Sequence, residues 1–286
     1  MSISTSDFDF VAELVQRKSA ILLPKGKEYL VEARLDYLAK QKGLPSIAEL
    51  VSRVRKQPYS ELPDELVDAL TTNETSFFRD LRPFEGLKEV IIPALMKARS
   101  VPRTLNIWCA ACSSGQEPYS VLITLFENFP DLINWNINYF ATDFSAEMVE
   151  RTTNGIYADL EVKRGLSEEL RTKYFNKVDA GWQAKPMLRN MLQIRRLNLI
   201  EPWTLPPIDL IMMRNVLIYF SNDIKKDILG RVRKTLTPDG YLMLGAAETT
   251  ISIDNSYSVE DAGPARCYRP KTGGEAVSMP QAQKGL

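Results

Sequence analysis

The sequence of 286 residues contains no histidine. A nucleophile activated by an imidazole base, and a metal site with histidine ligands, are therefore excluded within this chain. Its chemistry must proceed without the side chain that most often acts as a general base near neutral pH.

Cysteine is also scarce, with three residues at Cys109, Cys112 and Cys267. An odd number, behind a polar and acidic N-terminus that does not resemble a signal peptide, favours a reducing, cytoplasmic location. Cys109 and Cys112 have the spacing of a redox or half-zinc motif. A zinc site would need more ligands than one further cysteine, and Cys109 falls at the end of a predicted strand rather than at a helix start. We interpret the pair as small packing residues and expect no metal.

Long apolar runs and a net charge are missing as well. No run approaches about 18 apolar residues, so we expect no membrane insertion. Lysine and arginine total 36, as do aspartate and glutamate. Because the formal net charge is zero, no overall positive electrostatic field would attract nucleic acid, and we expect no nucleic-acid partner. We expect a monomer.

Residues 1 to about 99 show the periodicity of helices. Phe8, Val11 and Leu14 repeat at helical spacing, and Ser46 with Glu49 has the pattern of a capping box. A further helix is predicted from Pro83, with Pro93 as a kink. Between residues 25 and 56 there are eight basic and four acidic residues, an excess of four positive charges. This excess predicts either a basic docking face or a solvated mixed face.

From residue 104 onward, apolar runs of strand length alternate with helical segments, which predicts a mostly parallel sheet with helices on both faces. The predicted strands are 104–110, 136–142, 192–199, 208–213 and 241–245. The predicted helices are 117–129, 146–153, 167–175 and 223–236. The last residues, 271–286, are rich in Gly, Pro, Gln and Ser and are predicted to be disordered.

Polar residues follow three of the predicted strands, where a doubly wound sheet binds its ligands. The first strand ends in small residues before Gly115 and a helix that could offer amide donors. The second ends at Asp143, which could accept the hydroxyls of a ribose or cap the next helix. Arg214 and Asn215 interrupt an apolar run. The pattern G-x-G-x-x-G is absent, which removes the main support for a dinucleotide.

Four segments together resemble the chemotaxis-receptor methyltransferases, the CheR family. They are TTNETSFFRD at 71–80, WCAACSSGQEPYS at 108–120, MRNVLIYF at 213–220 and PDGYLMLG at 238–245, and the resemblance spans roughly residues 8 to 270. It implies an α/β fold of the class I S-adenosylmethionine-dependent methyltransferases, with a doubly wound, mostly parallel sheet. The implied domains are an N-terminal all-helical domain with linker (1–80) and the methyltransferase domain (81–270), with a small antiparallel β-subdomain inserted at about 174–196.

The same resemblance implies the reaction and its residues. A methyl group would pass from S-adenosylmethionine to glutamate carboxylates in the cytoplasmic helical region of chemotaxis receptors, leaving S-adenosylhomocysteine and a glutamyl methyl ester. Arg79 and Tyr219 would be catalytic, and Lys97 and Arg99 are weaker candidates for steering the acidic substrate. The cofactor would contact residues of the linker and of the strand ends: Asn73, Thr75, Arg79, Glu117, Asp143, Asn198, Leu199, Asn215 and Val216.

The chain departs from the family pattern in the cofactor loop. Cys109 stands for a serine, Ala111 for the first glycine and Gln116 for the first acid; the loss of the glycine matters only if Ala111 needs a positive φ. Two alternatives stay open: a small-molecule methyltransferase and a catalytically weakened sensor. Some members bind a receptor's C-terminal pentapeptide through a longer, glycine-rich loop of the β-subdomain. Residues 175–186 are short and hold one glycine, so we expect no tether.

Overall fold

The computed structural model describes residues 3–23, 26 and 28–271. Its N-terminal part is helical, with α1 (Thr5–Ser19), α2 (Glu28–Gln41), α3 (Ile47–Lys56) and α4 (Leu62–Leu70). These helices share a buried apolar cluster that includes Val11, Leu35, Leu50 and Leu66. The side chain of Ser46 accepts the N–H of Glu49 at 3.2 Å, as its predicted cap requires.

The helix predicted from Pro83 is interrupted. It consists of α5 (Arg82–Gly86), a π-helical turn (Leu87–Ile91) and α6 (Ile92–Ala98). Pro93 lacks an N–H and its ring crowds the carbonyl one turn earlier, so the regular hydrogen-bond ladder cannot pass it.

Strands and helices then alternate. The strands are β1 (Thr104–Ala110), β2 (Asn136–Asp143), β3 (Ile156–Tyr157), β4 (Phe175–Val178), β5 (Gly181–Ala184), β6 (Leu192–Arg196), β7 (Ile208–Met213), β8 (Leu236–Leu244), β9 (Tyr257–Ala262) and β10 (Ala265–Pro270). The helices are α7 (Gln116–Asn128), α8 (Ala146–Asn154), α9 (Asp159–Lys163), α10 (Glu168–Tyr174), α11 (Pro186–Arg189) and α12 (Asn222–Thr235).

The main sheet has the order β6-β2-β1-β7-β8-β10-β9. Its first five strands pair in parallel, and β10 and β9 are antiparallel. The predicted doubly wound, mostly parallel sheet is confirmed. Successive strands run outward in one direction from β1 and in the other from β7. A cleft therefore opens between the carboxyl ends of β1 and β7, where such sheets bind ligands.

The insertion differs from its predicted bounds of 174–196. The small antiparallel sheet has the order β3-β5-β4, so it recruits Ile156–Tyr157 and ends with Ala184. Strand β6 pairs in parallel with β2 and belongs to the main sheet. The disordered tail predicted for 271–286 lies, apart from Lys271, outside the described residues.

Arg99 has a structural position, not the substrate-steering one considered from the sequence. Its guanidinium contacts Asp209 at 2.8 Å and Asp239 at 2.6 Å. Asp209 is at the amino end of β7, the edge of the sheet opposite the cleft. Neither Arg99 nor Lys97 lines the cleft. Among the described residues, no helix is both long enough and apolar enough to cross a membrane.

Candidate functional site

A cleft that is partly open to solvent lies at the carboxyl ends of β1, β2 and β7. Ligands bind at this edge of a doubly wound sheet. The ten residues predicted from the sequence to bind the cofactor or to be catalytic line it: Asn73, Thr75, Arg79, Glu117, Asp143, Asn198, Leu199, Asn215, Val216 and Tyr219. The structure thus brings all ten together, while their individual roles stay predictions.

The loop after β1 is built from strained backbone. Ala111 has φ +60°, Ser113 +50° and Gly115 +94°. A side chain at Gly115 would also come within 2.9 Å of Thr152 and Tyr157. The glycine that usually stands at Ala111 would therefore have suited the backbone, because an L-residue with a side chain is disfavoured at positive φ.

Replacing Ala111 with glycine should raise the free energy of unfolding by about 1 kcal/mol, because the steric cost of the left-handed conformation disappears. Urea denaturation measures the change. Ala110→Gly is the matched control: Ala110 is fully buried in β1 and has no positive φ, so this change should destabilise the protein. Equal destabilisation by the two substitutions would contradict the assignment of strain to Ala111.

Asp143 ends β2 as a buried carboxylate. Its Oδ2 accepts the N–H of Ser113 at 2.7 Å and its Oδ1 that of Ser145 at 2.9 Å. Burial raises the pKa of Asp143 to about 6 despite these hydrogen bonds. A carboxylate offers about four lone-pair positions, so it can still accept two hydroxyl groups from the cleft.

Glu117 and Arg214 form a largely buried ion pair at the side of the cleft that β1 and β7 form. Arg214 Nη1 lies 2.6 Å from Glu117 Oε2, and Arg214 Nη2 lies 2.8 Å from Asp80 Oδ2. One guanidinium between two carboxylates leaves an excess negative charge, which favours a cationic ligand group beside Glu117. The sequence pattern pointed to Arg214 as a charge in an apolar run but did not identify it as the partner of Glu117.

The linker between the two domains closes one side of the cleft. Ser113 Oγ donates to the carbonyl of Asn73 at 2.8 Å, and Arg214 Nη2 donates to that of Arg79 at 3.0 Å. The Arg79 side chain donates to the carbonyl of Glu74 at 2.8 Å. The linker residues that face the cleft are therefore held in place by the loops that follow β1 and β7.

The opposite side is closed by the end of α1. Asn198 Nδ2 donates to the carbonyl of Lys18 at 2.8 Å, and the N–H of Leu22 donates to the carbonyl of Tyr219 at 3.3 Å. Ser19 and Ile21 consequently line the cleft. No sequence pattern indicated these two residues, because only tertiary packing brings α1 to the sheet edge.

Cys109 and Cys112 are buried free thiols. Burial raises the pKa of both well above the ordinary value, which disfavours the reactive thiolate. The Cys109 thiol donates to Glu117 Oε1 at 3.3 Å. The described residues contain no group of three or more possible metal ligands. The burial of the two thiols and their raised pKa values support the interpretation of the pair as packing residues.

Known proteins resemble the chain over nearly its whole length. A family model described as "CheR methyltransferase, SAM binding domain" matches residues 73–264, and one described as "CheR methyltransferase, all-alpha domain" matches residues 6–71. Chemotaxis protein methyltransferase 1 of Pseudomonas aeruginosa is 41% identical over 277 residues, covering 95% of this chain and 100% of the relative. Chemotaxis protein methyltransferase Cher2 of Pseudomonas putida is 40% identical over 277 residues, with the same coverage. The relative from Vibrio parahaemolyticus is 35% identical over 276 residues, covering 95% of this chain and 99% of the relative.

Proposed function

Because the chain belongs to the CheR methyltransferase family, we propose that it transfers a methyl group from S-adenosylmethionine to glutamate carboxylates of chemoreceptors. The observation that carries this proposal is the convergence of ten residues from the linker and the strand ends on one cleft. The products are a glutamyl methyl ester and S-adenosylhomocysteine.

The residues around the cleft fit this cofactor. Asp143 has acceptor capacity left for the two ribose hydroxyls, and Glu117 carries the excess negative charge that suits the amino group. Leu199 is buried beside the half-buried Val216 and offers an apolar wall to an adenine ring. The bound cofactor supplies an electrophilic methyl group.

The acceptor side needs no general base, because a glutamate carboxylate is already ionised at neutral pH. This is consistent with a chain that lacks histidine. The tasks left to the protein are to orient the acceptor and to exclude water. Arg79 attracts and aligns the carboxylate, and Tyr219 orients it with its hydroxyl group.

The proposal is tested by binding and transfer in sequence. S-adenosylhomocysteine should bind in calorimetry, more tightly than S-adenosylmethionine. Tritium from methyl-labelled cofactor should then enter receptor protein in chemoreceptor-containing membranes. Binding without transfer would favour the weakened sensor, and transfer to a small molecule instead of the receptor would favour the other methyltransferase class.

Receptor recognition belongs to the helical domain in this proposal. The excess positive charge is confined to residues 25–56, where four of the eight basic residues form ion pairs at the surface. Such pairs are worth little and can be exchanged for pairs with an acidic partner. These pairs are Lys40–Asp36, Lys42–Glu65, Arg53–Glu49 and Arg55–Asp7. Lys25 and Lys27, which also contribute to the excess, lie outside the described residues. Methylation should weaken as the salt concentration rises.

We also propose that no pentapeptide tether is required. Strands β4 and β5 have four residues each and are joined through Asp179 and Ala180. An added peptide strand could form few backbone hydrogen bonds along an edge of this length. Calorimetry with a receptor-tail pentapeptide should give no binding, and tail-deleted receptor should be methylated normally. Micromolar binding together with loss of methylation on the deleted receptor would contradict this.

A further inference from the structure

A buried carboxylate, Glu248, lies behind the cleft on the loop that follows β8. It accepts five backbone N–H groups. Oε2 binds those of Asn215 and Gly245 at 2.7 and 2.6 Å, and Oε1 binds those of Val216, Leu217 and Ile218 at 2.9, 2.7 and 3.3 Å. Four of the donors are consecutive residues, so this stretch of chain is wrapped around one anion.

The wrapped segment is part of the cleft. Asn215 and Val216 line it, and Tyr219 follows one residue after the last donor, whereas Glu248 itself does not reach it. Asn215 has φ +59°, a conformation that non-glycine residues rarely adopt. The hydrogen bond from its N–H to Glu248 helps to hold this backbone, and with it the position of the side chains that face the ligand.

Neighbouring residues leave room for the Glu248 carboxylate and hold its loop in place. A side chain on Gly245 would come within 2.6 Å of Glu248 Oε2. The buried Tyr268 hydroxyl donates to the backbone carbonyl of Glu248 at 3.2 Å and fixes the loop from the other side. Without the carboxylate, several N–H groups in the interior would lose their acceptor.

We propose that Glu248 is a positioning residue for methyl transfer. It holds Asn215, Val216 and Tyr219 in the geometry that binds the cofactor and aligns the acceptor, and it touches neither. This inference rests on the proposed function, because it assigns these three residues to that reaction.

Glu248→Gln tests the proposal. The amide keeps one acceptor oxygen but directs an NH₂ group toward backbone donors, so the segment 215–218 must shift. We expect the Kd for S-adenosylhomocysteine to rise roughly tenfold or more and kcat to fall roughly 100-fold, since a displacement of about 1 Å has effects of this size. Both are measured well below the melting transition.

Asp209→Asn is the matched control. Asp209 is an equally buried carboxylate on the neighbouring β7, where it accepts the N–H of Asn106 at 2.8 Å, but it lies at the edge of the sheet opposite the cleft. It should lower the melting temperature and leave Kd and kcat unchanged. Equal Kd and kcat values in the Glu248 and Asp209 variants would overturn the proposal.

Glu248→Asp decides the question if Glu248→Gln does not fold. It keeps the carboxylate but withdraws it by one methylene group from the backbone donors of residues 215–218, so Kd should rise and kcat should fall in the same sense, and unchanged values would overturn the proposal. Wild-type protein that binds no S-adenosylhomocysteine would overturn the proposed function as well. Wild-type binding with unaffected variants would overturn only the role of Glu248.

Discussion

Replacing Asp143 with alanine should weaken the binding of S-adenosylhomocysteine by roughly 100-fold, about 3 kcal/mol. The substitution removes the charged acceptor that we assign to the two ribose hydroxyls, and hydrogen bonds to charged groups are the stronger kind. Calorimetry on the folded variant measures the loss of affinity. Asp68→Ala is the control, because Asp68 accepts the N–H of Ala146 at 3.0 Å beside the same helix α8 but does not line the cleft.

The pH dependence gives an independent check on Asp143. Burial raises its pKa to about 6, so the carboxyl group becomes protonated below that pH and loses acceptor capacity. The Kd for S-adenosylhomocysteine should therefore rise about tenfold per pH unit below 6. The chain has no histidine that could produce the same profile. Wild-type affinity in Asp143→Ala, or a flat profile down to pH 5, would show that the cofactor does not use this carboxylate.

Replacing Arg79 with alanine should lower kcat roughly 100-fold and change the free energy of unfolding little. Arg79 lines the cleft, and the hydrogen bond that its side chain makes is to the exposed carbonyl of Glu74. Its removal therefore leaves no buried charge without a partner, while the acceptor carboxylate loses the guanidinium that we propose aligns it. Initial rates at saturating cofactor measure the effect, and urea denaturation measures stability.

Arg164 offers a control for Arg79, because both side chains contact the same linker residue, Glu74. Its guanidinium lies 3.2 Å from the Glu74 carboxylate, but the side chain is 65% exposed and does not line the cleft. Arg164→Ala should leave kcat unchanged. A folded Arg79→Ala variant with wild-type turnover would remove Arg79 from the mechanism. Equal losses of kcat in the two variants would show that turnover depends on the contacts that order the linker at Glu74, not on the Arg79 guanidinium in the cleft.

The parallel strands at the centre of the main sheet were predictable from the sequence because they are buried. The runs 104–110 and 208–213 coincide with β1 and β7, which are mostly apolar because both faces of the sheet are covered there. The antiparallel hairpin of β9 and β10 was not predicted. Tyr257–Ala262 is exposed over its middle residues, so it shows neither a continuous apolar run nor regular alternation.

The site was predictable to the extent that topology determines it. The carboxyl ends of parallel strands lie at the same edge of the sheet, so Asp143 after β2 and Asn215 after β7, on either side of β1, could be assigned to one cleft from their positions. The ion pair of Glu117 with Arg214, the positive φ of Ala111 and the five donors to Glu248 could not. Each depends on distances between residues far apart in sequence, and such contacts leave no periodic signal.

The chemical nature of the product tests the central claim most directly. Receptor protein labelled by this enzyme from tritiated S-adenosylmethionine should be isolated and exposed to mild base. A methyl ester of glutamate hydrolyses under these conditions, so the account predicts that the label is released as volatile methanol. Label that stays on the protein through this treatment would indicate methylation of nitrogen and would contradict glutamate as the acceptor.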